Sequence, residues 1–121
     1  MSFLFVASGG FAGAVARYWI SLLLNQKQPL KPYGTWLANV SGSFLLGVFF
    51  AGWTDGLLPD WGWYVGGIGF CGSYTTFSTF GNETFLFIQR NEVKHAVTYV
   101  SISLLVSLLA VLTALQLMSF L

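Results

Sequence analysis

Charged side chains are the scarcest component of this sequence. Five Lys or Arg and four Asp or Glu occur among 121 residues, a charged fraction of 7%, whereas 55% of the residues are hydrophobic. A soluble domain carries roughly 25% charged residues, so this chain could not cover a water-facing surface. Its formal net charge of +1 gives no reason to expect a nucleic-acid partner. The composition predicts an integral membrane protein with one domain, residues 1–121.

Reactive and metal-ligating side chains are almost absent. Cys71 is the single cysteine and His95 the single histidine, so an internal disulfide is excluded. No Ser/His/Asp set, no side-chain cluster with metal-ligand spacing and no phosphate-binding loop occurs in the sequence. We therefore expect that the protein is not an enzyme.

Long apolar runs are what the sequence does contain. A helix that crosses a bilayer needs about 20 apolar residues, and four runs reach that length, the third with room for an internal break. We predict spans at residues 2–24, 33–53, 61–89 and 95–120. Residues 25–32 lie between the first two spans and are predicted to form a polar loop with two prolines.

Basic residues are distributed unevenly among the loops. The first loop contains Lys27 and Lys31 and the third contains Arg90 and Lys94, whereas the second loop and both termini contain none. Cytoplasmic loops carry the excess of Lys and Arg. The pattern predicts that loops one and three are cytoplasmic and that both termini lie outside.

A hydroxyl-rich stretch interrupts the third apolar run. Residues 69–81 read Gly-Phe-Cys-Gly-Ser-Tyr-Thr-Thr-Phe-Ser-Thr-Phe-Gly, with six hydroxyls and three glycines. Lipid offers no hydrogen bonds, so irregular polar backbone at that depth survives only inside protein or along water. The stretch predicts a broken helix, a device by which membrane proteins hold ions.

Polar groups on the second and fourth spans allow two interpretations each. Asn39 shares a helical face with Thr35 and Ser43, and its amide could bond a neighbouring helix or replace water around an anion. Tyr99, Ser103 and Ser107 are spaced by four and form one stripe that must face protein or water. Their hydroxyls could line a path or bond back to their own helix.

Two charges and two rings inside the spans are equally open. Arg17 could be an interfacial anchor, or a cation that attracts anions or caps helix carbonyls. Glu83 could be a functional intramembrane carboxylate or a headgroup-level charge; Thr79 lies on its face. Phe77 and Phe80 could be core residues, or could turn their positive ring edges toward an anion path.

These motifs together resemble the Fluc, or CrcB, family of fluoride channels. The family pattern has a glycine-rich first helix that ends in Arg-Tyr, here Arg17-Tyr18. Gly-Thr-x-x-x-Asn-x-x-Gly-x-Phe-x-x-Gly follows at residues 34–47, and Gly-Phe-x-Gly-x-x-Thr-Thr-Phe-Ser-Thr-Phe at 69–80. The resemblance implies an all-α, four-helix subunit with a broken third helix in a prokaryotic plasma membrane (the inner membrane of a Gram-negative cell). It also implies an antiparallel dual-topology homodimer with two passive fluoride pores.

The resemblance also implies roles for individual residues. Asn39, Phe77 and Phe80 would line the pore, and Arg17 would lie in its vestibule. A structural Na⁺ at the dimer interface would be held by the backbone carbonyls of Gly72 and Thr75 from each subunit. The remaining path residues would be Thr79, Glu83, Tyr99, Ser103 and Ser107.

Three alternatives remain at the level of the sequence. The uneven loop charges would also suit a chain that inserts one way and pairs with an oppositely oriented homologue. A small multidrug-resistance type exporter has four spans but needs a carboxylate in the first, where this chain has Arg17 and no acid. A non-conducting assembly subunit would not need Asn39, Glu83 or the hydroxyl run.

Overall fold

The fold is predominantly helical. The computed structural model describes residues 2–27, 30–76 and 78–120. Its elements in chain order are helix α1 (Ser2–Leu24), strands β1 (Asn25–Lys27) and β2 (Leu30–Pro32), helices α2 (Tyr33–Thr54) and α3 (Asp60–Gly62), a π-helical segment (Trp63–Cys71), and helices α4 (Gly72–Tyr74), α5 (Ser78–Gln89) and α6 (Val93–Ser119).

Within the described residues, three helices are long and apolar enough to cross a membrane. These are α1, α2 and α6, with mean hydropathies of 1.3, 1.3 and 2.3. Most of their large apolar side chains are exposed on the isolated chain, as lipid-facing or partner-facing surfaces require. The protein is therefore an all-α membrane protein, as the composition predicts.

The third apolar run is not one regular helix. Residues 60–74 are helical, and the π-helical segment forms their middle. Thr75 then adopts an extended conformation, with φ of −79° and ψ of 151°. Helical backbone resumes at Ser78 in α5. The run thus consists of two shorter helical pieces with an interruption in the hydroxyl-rich stretch.

The segment predicted as a polar loop forms a small antiparallel hairpin. Asn25 pairs with Pro32, Gln26 with Lys31 and Lys27 with Leu30. Pro32 has no N–H to contribute to a ladder, and it stands at the end of its strand, where the loss is tolerated. Three-residue strands carry too few positions for an alternating pattern, so the sequence predicted the polar connection between the helices but not the strand pairing within it.

Glycines allow α1 to approach residues 60–74 backbone to backbone. Gly9 and Gly13 are buried. A Cβ on Gly9 would overlap the Val65 carbonyl, and one on Gly13 would overlap the Phe70 carbonyl and the Ser73 hydroxyl. The four-residue spacing of Gly9 and Gly13 is the pattern of small residues that lets two helices approach closely.

The other helices place the polar faces of α2, α5 and α6 next to each other. Gly47 of α2 packs against Ala114 of α6, whose side chain is fully buried. Phe87 of α5 packs against Ala96 and Tyr99 of α6 in one buried cluster. Polar side chains of α2 and α6, together with Phe80 of α5, therefore lie beside the interruption after Tyr74.

Candidate functional site

An uncharged cavity lies beside the interruption. Its volume is about 270 Å³, and five predicted site residues contribute to its wall. The lining residues are Asn39, Ser43, Leu46, Thr75, Thr76, Phe80, Ser103, Leu104 and Ser107. None of them carries a charge, so the cavity offers amide and hydroxyl groups and a ring instead.

Asn39 bonds the interrupted backbone through both atoms of its amide. Asn39 Oδ1 accepts a 2.8 Å hydrogen bond from the Thr76 backbone N–H, and Asn39 Nδ2 donates to the Thr76 carbonyl at 3.3 Å. These two bonds provide partners for the backbone N–H and carbonyl of Thr76, which lies outside the helices. The amide has two N–H donors, and the second is not used by these bonds.

The interruption diverts two amides from the helical ladder. In a continuous helix the Gly72 carbonyl would accept from the Thr76 N–H and the Thr75 carbonyl from the Thr79 N–H. Here the Thr76 N–H bonds Asn39 Oδ1 at 2.8 Å, and the Thr79 N–H bonds Thr76 Oγ1 at 3.2 Å. Side chains thus take the donors that would otherwise serve these two carbonyls.

Glu83 lies at the centre of a buried chain of hydrogen bonds. Its side chain is 6% exposed, so it is enclosed by protein. Glu83 Oε2 accepts from the Thr35 hydroxyl at 3.2 Å, and Oε1 accepts from the Tyr99 hydroxyl at 3.0 Å. Asn25 Nδ2 donates in turn to Thr35 Oγ1 at 3.2 Å.

The predicted stripe on α6 faces the protein interior. Tyr99 and Ser103 are buried and Ser107 is half-buried. Within the described part of the chain, the Ser103 hydroxyl has no hydrogen-bond partner although it is enclosed. The Ser43 hydroxyl across the same cavity instead bonds the Asn39 carbonyl of its own helix at 2.7 Å. Ser103 therefore brings an uncommitted donor to the cavity wall.

Arg17 contacts the end of the helical run 60–74. Its Nε donates to the Ser73 carbonyl at 3.0 Å. Cations are favourable at helix C-termini, where carbonyls lack partners. The geometry thus matches the carbonyl-capping interpretation of Arg17, and its role in a vestibule stays a prediction.

Phe80, one of the two predicted pore rings, lies at the cavity wall. Phe80 is half-buried, and its ring centroid lies 5.0 Å from that of Tyr99 at an interplanar angle of 43°. Phe80 therefore contacts both the cavity and Tyr99, which donates a hydrogen bond to Glu83. Phe77 lies outside the described residues, and its pore role stays a prediction.

Asn25 is the participant that the sequence did not reveal. Its Oδ1 accepts from the N–H groups of Gly34 at 2.7 Å and Thr35 at 3.2 Å. It thus caps α2 in place of Pro32, whose side chain makes no capping bond. Capping asparagines normally precede their helix directly, whereas Asn25 reaches α2 across the hairpin. No spacing rule would have found it.

Comparison with known proteins identifies the family. The family model for "CrcB-like protein, Camphor Resistance (CrcB)" matches residues 4–115. The chain belongs to the CrcB family.

CrcB relatives from several bacteria match almost the full length. The fluoride-specific ion channel FluC of Shewanella pealeana is 45% identical over 116 residues, covering 94% of this chain and 93% of the relative. The protein of the same name from Nitrobacter winogradskyi is 39% identical over 117 residues, covering 92% and 90%. The one from Flavobacterium psychrophilum is 36% identical over 115 residues, covering 92% and 91%.

Proposed function

We propose that this protein is a fluoride-selective channel that lets the ion leave a prokaryotic cell passively across the plasma membrane. Relatives at 36–45% identity bear the name fluoride-specific ion channel. The observation that carries the proposal is the uncharged cavity, in which the uncommitted Ser103 hydroxyl stands among polar groups from α2 and the interruption.

The cavity suits a small, strongly hydrated anion. Leaving a bare ion in an apolar medium costs tens of kcal/mol, so a pore must replace lost water with donors while binding weakly enough for release. The free N–H of Asn39, the hydroxyls of Ser103 and Ser107 and the ring edge of Phe80 are neutral donors of that kind. A Lys or Arg in the wall would bind the anion more tightly and slow its exit.

The Glu83 chain extends the path beyond the cavity. Two hydroxyls, those of Thr35 and Tyr99, point at the carboxylate. Each can turn from the carboxylate to a passing anion, because a hydroxyl proton rotates about its C–O bond. The Glu83 carboxylate thus accepts the Thr35 and Tyr99 hydroxyl bonds when no ion is present, and the same hydroxyls donate to the ion as it passes.

We extend the proposal to the assembly. Residues 60–89 form a broken third span, so that the subunit has four spans, and two copies pair antiparallel with one pore on each side of the axis. The exposed apolar faces of the isolated chain support burial in lipid and against a partner. Because all four loop cations lie in loops one and three, an oppositely oriented homologue is the alternative partner. Labelling a cysteine in loop one from each side of the membrane distinguishes them, and labelling from one side only would contradict the homodimer.

A Na⁺ ion at the dimer axis completes the proposal. Among the described residues, no group of three or more His, Cys, Asp or Glu could hold a metal ion. The carbonyls of Gly72 and Thr75 fit the role because the amides that would serve them bond Asn39 and Thr76 instead. Oxygen ligands suit hard cations, and a two-fold axis would double the set. When bound, the ion supplies positive charge between the two anion paths.

Fluoride efflux from proteoliposomes tests the pore with one variant and one control. Phe80→Ile removes the ring at the cavity wall and should lower fluoride efflux by about tenfold, if one favourable contact is lost. Phe85 is on the same helix, but its side chain is 58% exposed. The Phe85→Ile variant should therefore conduct like wild type. Equal efflux from the Phe80 and Phe85 variants would contradict the pore role of Phe80.

A further inference from the structure

The orientation of the Asn25 amide is fixed by its neighbours. Its oxygen faces two backbone donors, the N–H groups of Gly34 and Thr35, at 2.7 and 3.2 Å. Only an oxygen can accept these bonds, so the amide nitrogen must face the Thr35 hydroxyl oxygen, which lies 3.2 Å away. An N–H group only donates. The Thr35 hydroxyl is therefore an acceptor toward Asn25.

This fixes the direction of the next bond as well. A threonine hydroxyl has one proton and accepts with its lone pairs. With a lone pair engaged by Asn25, its proton is free to point at Glu83 Oε2, 3.2 Å away. Thr35 is 0% exposed, so no water competes for either role until an anion enters the path. The buried chain thus runs in one direction, from Asn25 through Thr35 to Glu83.

We propose that Asn25 is a positioning residue for the conduction path, because its amide keeps the Thr35 hydroxyl proton directed at Glu83 and available to a passing anion. The inference rests on the proposed function and deepens it. Asn25 itself touches neither Glu83 nor Tyr99 in the described contacts; it acts through Thr35. Hydrogen bonds in such a chain strengthen each other where water is excluded.

Asn25 has two roles that one substitution separates. As a cap it needs an acceptor for the N–H groups of Gly34 and Thr35, which an aspartate supplies equally well. As an orienting group it needs a donor, which an ionised aspartate lacks. In Asn25→Asp the Thr35 hydroxyl would turn its proton to the new carboxylate and away from Glu83.

Fluoride efflux and thermal unfolding of the purified protein, measured on the same preparations, test the inference. Asn25→Asp should unfold at the wild-type temperature and conduct about tenfold more slowly, the cost of one charge-assisted hydrogen bond. Asn25→Ala should lose both stability and flux, because it removes cap and donor together. An Asn25→Asp protein that unfolds as early as Asn25→Ala would overturn the separation of the two roles.

A double variant separates the loss of the Asn25 donor from the effect of the added charge. Thr35→Val deletes the hydroxyl while keeping the shape of the side chain, and should conduct as slowly as Asn25→Asp. Adding Asn25→Asp to Thr35→Val should change nothing further if Asn25 acts through that hydroxyl. A further fall would show that the charge itself blocks the path and would overturn the inference.

Thr35→Ser provides a test that leaves Asn25 in place. Serine keeps the hydroxyl, so this variant should retain more fluoride efflux than Thr35→Val, and equal flux from Thr35→Ser and Thr35→Val would contradict the role of the hydroxyl. Wild-type liposomes that retain fluoride would refute the proposed function and the inference with it. A conducting wild type with equal flux in Asn25→Asp would refute the inference alone.

Discussion

Replacing Asn39 with alanine is the perturbation whose consequences follow most directly from the structure. The change removes the acceptor at 2.8 Å from the Thr76 N–H and the donor at 3.3 Å from the Thr76 carbonyl. A buried polar group left without a partner costs about 1–3 kcal/mol. Since the site is partly buried, we expect a loss of about 2–4 kcal/mol in the free energy of unfolding for the two groups together.

Part of the lost free energy of unfolding can be recovered by a backbone rearrangement that occupies a proposed ligand of the cation. Without Asn39, the Thr76 N–H can return to the Gly72 carbonyl and extend the helix by one bond. The carbonyl is then no longer available to a cation. Asn39→Ala should therefore weaken the stabilisation of the protein by Na⁺, measured as the difference between unfolding temperatures in sodium and N-methylglucamine buffers, and should abolish most fluoride efflux.

Ser43→Ala is the matched control for this experiment. Ser43 is on the same helix as Asn39 and lines the same cavity. Its hydroxyl donates to the Asn39 carbonyl of its own helix at 2.7 Å, and this bond does not connect the helix to another segment. Its removal should change the unfolding temperature little and leave the sodium effect intact. If Asn39→Ala unfolds at the same temperature as Ser43→Ala and keeps its sodium effect, Asn39 does not hold the interruption open.

Three further variants test separate contacts. In Gly42→Ala the new Cβ would lie 2.5 Å from Thr75 Cγ2, and such overpacking costs about 1–3 kcal/mol; an unchanged unfolding temperature and flux would contradict the packing at the interruption. Arg17→Ala loses the bond to the Ser73 carbonyl and should destabilise the protein by about 1–2 kcal/mol, measured by thermal unfolding; wild-type stability would show that the capping contact is dispensable. Ser103→Ala removes a hydroxyl without a described partner, so stability should hold while fluoride efflux falls; unchanged efflux would exclude Ser103 from the path.

Local features of the sequence are informative where the physics is local. The apolar runs at the two ends of the chain and after the hairpin read directly as α1, α2 and α6, because length and hydropathy are properties of single segments. The spacing of Gly9 and Gly13 shows where another backbone can approach. The four-residue spacing of Tyr99, Ser103 and Ser107 places them on one face, and the structure turns that face inward.

Contacts between distant segments explain what the sequence could not show. The bonds between Asn39 and Thr76 join residues 37 positions apart, and no spacing rule selects that partner among several hydroxyl-bearing neighbours. Asn25 reads as the first residue of a polar loop, and its cap on α2 exists only because the hairpin returns the chain to it. Arg17 likewise allowed two interpretations from the sequence, and only its contact with the Ser73 carbonyl favours one of them.

If this chain forms a passive path selective for fluoride, as we propose, a comparison of anion efflux will show it. Proteoliposomes loaded with equal fluoride and chloride are opened to potassium by valinomycin, so that only the anion permeability limits efflux, and each anion is followed with its own electrode. We expect fluoride to leave in amounts proportional to the reconstituted protein while chloride stays inside. Chloride efflux comparable to that of fluoride, or retention of both ions, would contradict it.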